Sequence, residues 1–254
     1  MKKKMKFFFF GFGQTAKYFI KELTRSKKKF TFCATNTRKT HFLNIDNRKF
    51  KSFRFKNDGY DKKLLKELQN ADYILISIPP KGKKDLVLKK FKNILEKSNF
   101  KKLIYLSATS VYGNHSGKWV NENSKLKGNT LFGLARKTAE NAWRDFRKLS
   151  GLDINVLRVS GIYSRENNVL KKILSSNIYV KEKKYFSRIR VEDLAVVIKK
   201  MFFSSRKSMI LNAADDKPST NIEVANYAAK LLHIKHLKAK PISQFKNKMI
   251  KEFY

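Results

Sequence analysis

Residues 5–19, MKFFFFGFGQTAKYF, decide how this chain folds. The apolar run Met5–Phe10 meets Gly11-Phe12-Gly13-Gln14-Thr15-Ala16, and an amphipathic pattern then begins through Ala16, Phe19, Ile20 and Leu23. Strand, glycine turn and helix stand in the order that a dinucleotide site requires. Gly11 lets the chain turn sharply, and Gly13, lacking a side chain, lets a pyrophosphate approach the backbone. Ala16 is small enough for the helix to lie close on the strand. With Gln14 and Thr15, these residues open a helix whose free N–H groups and positive dipole end suit phosphate.

Working outward, strands are predicted at 30–34, 52–55, 73–78, 103–106, 154–159 and 209–212. Helices are predicted at 15–26, 61–69, 85–97, 131–149, 191–203 and 220–232. The alternation predicts a parallel sheet covered on both faces. Tyr73–Ile78 (YILISI) is apolar almost throughout, as a central parallel strand should be. Pro79-Pro80 breaks the chain at its carboxyl edge, where ligands of open α/β sheets bind. Ser77, Ile78 and Pro79 are therefore expected beside the adenosine-to-ribose path. Thr220-Asn221-Ile222-Glu223 has capping-box spacing and fixes the start of the last helix. Ala135, Ala139, Ala142, Trp143, Phe146 and Leu149 form a core-facing stripe on the longest helix.

The second strand should end beside the adenosine ribose. An acid there would accept from a free 2′-hydroxyl and favour NAD. Here the residues are Ala34-Thr35-Asn36-Thr37-Arg38-Lys39, with no acid, and Arg38 suits a 2′-phosphate. NADP is expected over NAD, with NAD left open.

Composition bounds the rest. The 254 residues suffice for one sizeable core, and 42% are hydrophobic, as in globular proteins. The lone Cys33 excludes an internal disulfide and is read as a core residue, fitting a reducing, cytoplasmic setting. The basic, Phe-rich start imitates a signal peptide, but its apolar run is too short and lacks a cleavage site. No stretch reaches the ~18 apolar residues of a membrane span. The charge is +38, from 58 Lys+Arg against 20 Asp+Glu. Nucleic-acid binding is one reading of that excess. Lysines scattered over nearly every helix face, without a nucleic-acid motif, favour a bias in residue usage instead. The exception is the basic end from Lys230 to Lys251, seven lysines with no acid. His41, His115, His233 and His236 lack metal-ligand partners, His233 and His236 being read as i, i+3 on one helix face; no metal is expected.

Several later segments carry a family resemblance. Leu106-Ser107-Ala108-Thr109-Ser110-Val111-Tyr112-Gly113 resembles the strand end of extended short-chain dehydrogenases/reductases. Gly117–Glu122 (GKWVNE) resembles the loop that follows it in the NAD(P)-dependent epimerase/dehydratase family. Leu157–Tyr163 (LRVSGIY), Arg188–Ala195 (RIRVEDLA) and Asn212–Pro218 (NAADDKP) resemble later motifs of the same family. Order and spacing hold over nearly the whole chain, most closely as in the atypical members. The resemblance implies a Rossmann-like, doubly wound α/β fold with a small C-terminal substrate lobe. Residues 1–160 would form the nucleotide-binding domain, and 161–254 a lobe interleaved with the end of the sheet in a single structural unit. It further implies an oxidoreductase acting on a small polar or sugar-derived molecule, and it leaves a homodimer open. Chains of this kind often run on past the equivalent of Tyr254 with another basic helix.

The family's chemistry uses a Ser or Thr hydroxyl, a Tyr and a Lys in a Tyr-x-x-x-Lys helix, the Tyr exchanging a proton with substrate. Matched to this chain, those positions are Ala108, Phe132 and Arg136. Phe132 cannot transfer a proton. Arg136 keeps its charge and is expected to hold the nicotinamide ribose. The replacement candidates are Thr109, which would polarise a carbonyl or cap a turn, and Tyr112, the nearest phenol, or else a packing residue. Ser107, Ser110, Tyr163 and Arg188 are expected to border substrate, with core packing the alternative for Tyr163. Asp193 either borders the substrate lobe or stabilises its own helix start. Three readings follow: an oxidoreductase with a replaced triad, a non-catalytic NADP-binding sensor or scaffold, and a nucleic-acid-associated protein using its basic end.

Overall fold

A computed structural model describes residues 4–82, 84–176 and 178–246. In chain order the first elements are β1 (Met5–Phe10), α1 (Gln14–Arg25), β2 (Phe30–Asn36), β3 (His41–Ile45), β4 (Arg48–Lys56) and β5 (Gly59–Tyr60). Then come α2 (Leu64–Gln69), β6 (Tyr73–Ile76), α3 (Leu86–Glu96), β7 (Lys102–Ala108), α4 (Leu131–Ser150) and β8 (Ile154–Val159). The rest comprises β9 (Gly161–Tyr163), α5 (Val169–Ser176), β10 (Ile178–Val180), β11 (Tyr185–Phe186), β12 (Arg188–Arg190) and α6 (Val191–Phe203). Last are β13 (Ile210–Ala213), β14 (Ser219–Thr220), α7 (Asn221–Leu231) and β15 (Lys238–Lys240). The main sheet has nine strands in the order β13-β8-β7-β6-β1-β2-β4-β3, with β5 on β4. It is parallel apart from β3 and β5.

β1 lies in the middle, and its period-2 pattern shows there. Phe7 and Phe9 enter the core beneath α1 and α6, while Phe8 and Phe10 enter the core beneath α2, α3 and α4. Burying each ring contributes about 1.5–3 kcal/mol. α6 packs on α1, and β13 extends the sheet beyond β8, so the later part of the chain is woven into the sheet. The remaining lobe consists of the pairs β9–β12, β11–β14 and β10–β15, with α5 packed on α7 through Ile173, Ala225 and Ala228.

Between β2 and β4 the chain forms a strand, β3, that was not expected from the sequence. The chain runs out to the sheet edge as β3 and returns through Asp46 and Asn47, both at positive φ (46° and 59°). That geometry suits a tight two-residue hairpin. It was missed because only part of 41–56 alternates cleanly. Tyr73–Ile78 stops pairing at Ile76, and α2 starts at Leu64 rather than Asp61. Leu149 leaves the stripe, 78% exposed, in the last turn of α4, where Gly151 at φ 69° sends the chain back into β8. Cys33 is half-buried, and burial pushes its thiol up to about 11. His233 and His236 lie past the end of α7, not on a helix face. Of the basic end, Lys248 and Lys251 lie outside the described residues. No described helix is long and apolar enough to cross a membrane.

Candidate active site

The glycine turn is built by three strand ends. Gly11 sits at φ 91°, and a Cβ there would come within 2.8 Å of Ile78 Cγ2 and Ser77 Oγ. Both the backbone region and the close approach demand glycine. The Gly11 N–H donates to Thr35 Oγ1 (2.9 Å) from the end of β2, and Ser77 Oγ donates to the Phe10 carbonyl (3.1 Å). The turn is therefore fixed before any ligand arrives. Gly13 is different. It is the N-cap of α1 without a side-chain cap, at an ordinary φ of −87°, and a Cβ there would meet nothing within 4 Å. The protein itself does not need glycine at 13, so the space kept clear is external. Thr15 and Ala16 are buried beneath the helix.

This turn opens on a cavity of about 1380 Å³ along the carboxyl edge of the sheet. Gly11, Gln14, Ile78 and Pro79 line it, with Thr35, Asn36 and Thr37 at the β2 end. Ser77 does not line it, being tied to β1. Arg38 does not line it either. Asn36 Oδ1 accepts the Arg38 N–H (2.7 Å) and Asn36 Nδ2 donates to Ser52 Oγ (2.7 Å), a turn that sets Thr37 at the cavity wall and leaves Arg38 outside it. The cations bordering the cavity are instead Lys17, Lys21, Lys56 and Lys81. Of the acids bordering it, Asp58 is paired with Arg54 (2.7 Å) and Glu166 accepts from Tyr18 (2.9 Å).

At the other end of the sheet edge, a buried network ties β7, α4, β8 and β13 together. Glu140 and Arg158 are both almost fully buried and pair at 2.5 Å. Ser107 Oγ donates to Glu140 (2.9 Å). Arg158 also donates to Tyr112 Oη (2.8 Å) and to the Glu122 carbonyl (3.0 Å). Tyr112 donates to Asn212 Oδ1 (2.7 Å), whose own N–H donates to Glu122 Oε1 (2.7 Å). The Tyr112 phenol is therefore buried and bonded on both sides, as its alternative reading as a packing residue describes, and the Ser107 hydroxyl is turned to Glu140. Arg158 was legible as a lone charge inside the apolar strand INVLRV, but its partners were not.

Phe132, at the position of the family's Tyr, is 43% exposed. Arg136 donates to the Leu106 carbonyl (2.8 Å) and is half-buried. Asp85, the N-cap of α3, accepts from the Leu88 N–H (2.9 Å), while its Oδ2 has no hydrogen-bond partner; burial pushes this carboxyl up. Thr109 and Ser110 lie half-buried in the helical turn that follows β7. Tyr163 is 38% exposed at the end of β9, opposite Arg190, its phenol pushed up by burial and by the charge of Asp215. Arg188 is drawn away from these residues. It donates to the Phe186 and Ser219 carbonyls and to Asn221 Oδ1, fastening β11, β14 and α7 together. Asp193 lies in the first turn of α6, beside Arg190 (3.4 Å).

Fold and glycine turn together define a Rossmann-like α/β protein. Residues 90–194 match the model of the NAD dependent epimerase/dehydratase family. No curated protein sequence matches the chain. A functionally unknown conserved protein from Silicibacter pomeroyi is 25% identical with a TM-score of 0.83, over 99% of this chain and 87% of that one. The dTDP-glucose 4,6-dehydratase of Bacillus anthracis, in complex with NAD, gives 15% and 0.75 over 98% and 90%. The UDP-glucuronic acid 4-epimerase of Bacillus cereus, also in complex with NAD, gives 15% and 0.76 over 93% and 85%. The chain thus shares the fold of these epimerases and dehydratases, and its residues 90–194 are similar to the NAD dependent epimerase/dehydratase family.

Proposed function

We propose that this protein is an NADP-preferring oxidoreductase of the epimerase/dehydratase kind, acting on a small polar or sugar-derived molecule. One observation carries the reading. A helix N-terminus kept clear at Gly13 opens on a cavity that continues past a β2 end, Asn36 and Thr37, bearing no acid. Gly11, Gly13 and Gln14, with the first N–H groups of α1, would hold the pyrophosphate. Ile78 and Pro79 would border the adenosine side, and Thr37 with a neighbouring cation would take the 2′-phosphate. Arg136 would hold the nicotinamide ribose through its guanidinium donors. When bound, the dinucleotide supplies hydride exchange at its nicotinamide ring. With Phe132 unable to move a proton and Tyr112 engaged, Thr109 and Ser110 are the hydroxyls left at the end of β7 to orient a substrate carbonyl. Calorimetric titration with NADP⁺, NADPH, NAD⁺ and NADH at low and high salt tests the reading. NADP-selective binding that survives high salt is expected. Binding of NAD alone overturns the preference, and binding that salt abolishes for every anion alike overturns the site.

A second reading has its own support. Phe132, half-exposed where the family has its Tyr, fits a dinucleotide-binding sensor that does no chemistry. The double change Phe132→Tyr with Arg136→Lys separates the two. Activity created only in the double variant favours the sensor, whereas carbonyl-dependent NADPH turnover by the native protein removes it.

A further inference from the structure

The cavity has a crossing point that neither the glycine turn nor the proton-transfer end uses. Tyr18, in the second turn of α1, donates its hydroxyl to the Glu166 carboxylate at 2.9 Å, with 3.2 Å to the other oxygen. The two residues are 148 positions apart, and both line the cavity together with Gly11 and Gln14. Glu166 is presented by a loop that is already ordered by its own bonds. Buried Ser164 accepts the N–H groups of Glu166 (3.1 Å) and Asn167 (3.0 Å), and the Ser164 N–H donates to the Asn167 carbonyl (2.9 Å). Asn168 Nδ2 donates to the Ser164 carbonyl (2.9 Å). On the other side, Lys21 Nζ lies 5.2 Å from the Tyr18 ring centroid, bringing a cation beside the carboxylate. The hydrogen bond from Tyr18 holds the Glu166 carboxyl below its ordinary range. One turn beyond Tyr18, α1 is fastened to α6 by the Glu22–Lys199 ion pair. The loop 164–167 therefore meets a helix that is anchored and carries the glycine turn at its start.

We propose that Tyr18 and Glu166 form a clasp across the dinucleotide cavity that retains the bound cofactor. The proposal rests on the dinucleotide reading above. A dinucleotide laid along the start of α1 has Gly11, Gln14 and the strand ends beneath it and Glu166 and Asn167 on its outer side. Its phosphates leave past that loop, so departure requires the Tyr18–Glu166 bond to open. Binding itself needs only the turn and the helix N-terminus, which the clasp does not build. The clasp accordingly acts on the dissociation rate more than on the association rate.

The test is the dissociation rate of NADPH, followed by its fluorescence on rapid mixing with excess NADP⁺, for the native protein, Tyr18→Phe, Glu166→Ala and the double variant. Melting temperature serves as the folding control. Each single change is expected to speed dissociation roughly two- to fivefold, as for one solvent-accessible charge-assisted hydrogen bond. The double variant should be no faster than the faster single variant, because both remove the same bond. Unchanged dissociation in folded single variants that still bind NADPH overturns the clasp and leaves the dinucleotide site standing. Effects that multiply in the double variant also overturn it. A native protein that binds neither NADPH nor NADH overturns both.

Discussion

Removing the Glu140 carboxylate should be strongly destabilising. Glu140 is fully buried and Arg158 is 1% exposed, so Glu140→Leu leaves a guanidinium without its counter-charge and Ser107 Oγ without its acceptor. Breaking one side of a buried pair costs about 3–5 kcal/mol. That is a large share of the ~5–15 kcal/mol stability of a typical domain. Arg158→Met leaves the carboxylate uncompensated and should cost a similar amount. Glu140→Leu with Arg158→Met removes both charges and keeps the volume. Its residual cost is the lost partners of Ser107 and of the Glu122 carbonyl, about 1–3 kcal/mol each at most. At the middle of these ranges the double variant should lose about 4 kcal/mol less than the two single losses added together. Urea unfolding followed by tryptophan emission measures this directly. Trp143 is fully buried and stacked on Tyr105 (5.8 Å), whereas Trp119 is 78% exposed and already reports solvent. Losses that add within ~0.5 kcal/mol would show that Glu140 and Arg158 do not stabilise each other and would refute the reasoning. The pair is shielded from solvent, so raising the salt should change the losses little.

Two further outcomes separate scaffold from site and burial from charge. Gly11→Ala meets a positive φ and contacts of 2.8 Å to Ile78 and Ser77, and should cost about 1–3 kcal/mol in the same assay. Gly13→Ala meets open space, so it should melt near the native temperature yet weaken dinucleotide binding in calorimetry. Native-like affinity there would exclude Gly13 as the point of phosphate approach. Asp85→Asn keeps an N-cap for α3 but removes a carboxyl whose folded pKa is raised by burial. Between the unfolded and the raised folded pKa the native state binds more protons, so stability falls as pH rises through that window. The variant should melt higher than the native protein at neutral pH, and the gain should shrink as pH drops below the unfolded carboxylate range. A constant difference across pH would mean that Asp85 is not strained by burial.

What the sequence determined by itself is the part of the fold written in short-range pattern. Phe7–Phe10 had to be a strand buried on both faces, because four consecutive aromatic residues leave no polar side to turn outward. Gly11 and Gly13 had to open a helix, because Ala16, Phe19, Ile20 and Leu23 follow at helical period. The neutral end of β2 and the replacement of Tyr by Phe132 were equally legible, since each depends only on which residue stands at a position. Tertiary structure decided where side chains go once strands are paired. It turned Arg38 out of the cavity through a bond between Asn36 and the backbone, and it drew Tyr112 into a network with Arg158 and Asn212, 46 and 100 residues away. It added the β3–β4 hairpin at the sheet edge, and it brought Glu166 to Tyr18. Local periodicity sets which face of an element is buried. The partner a polar atom finds depends on which distant elements share that face, and that is fixed only when the sheet and its lobe close together.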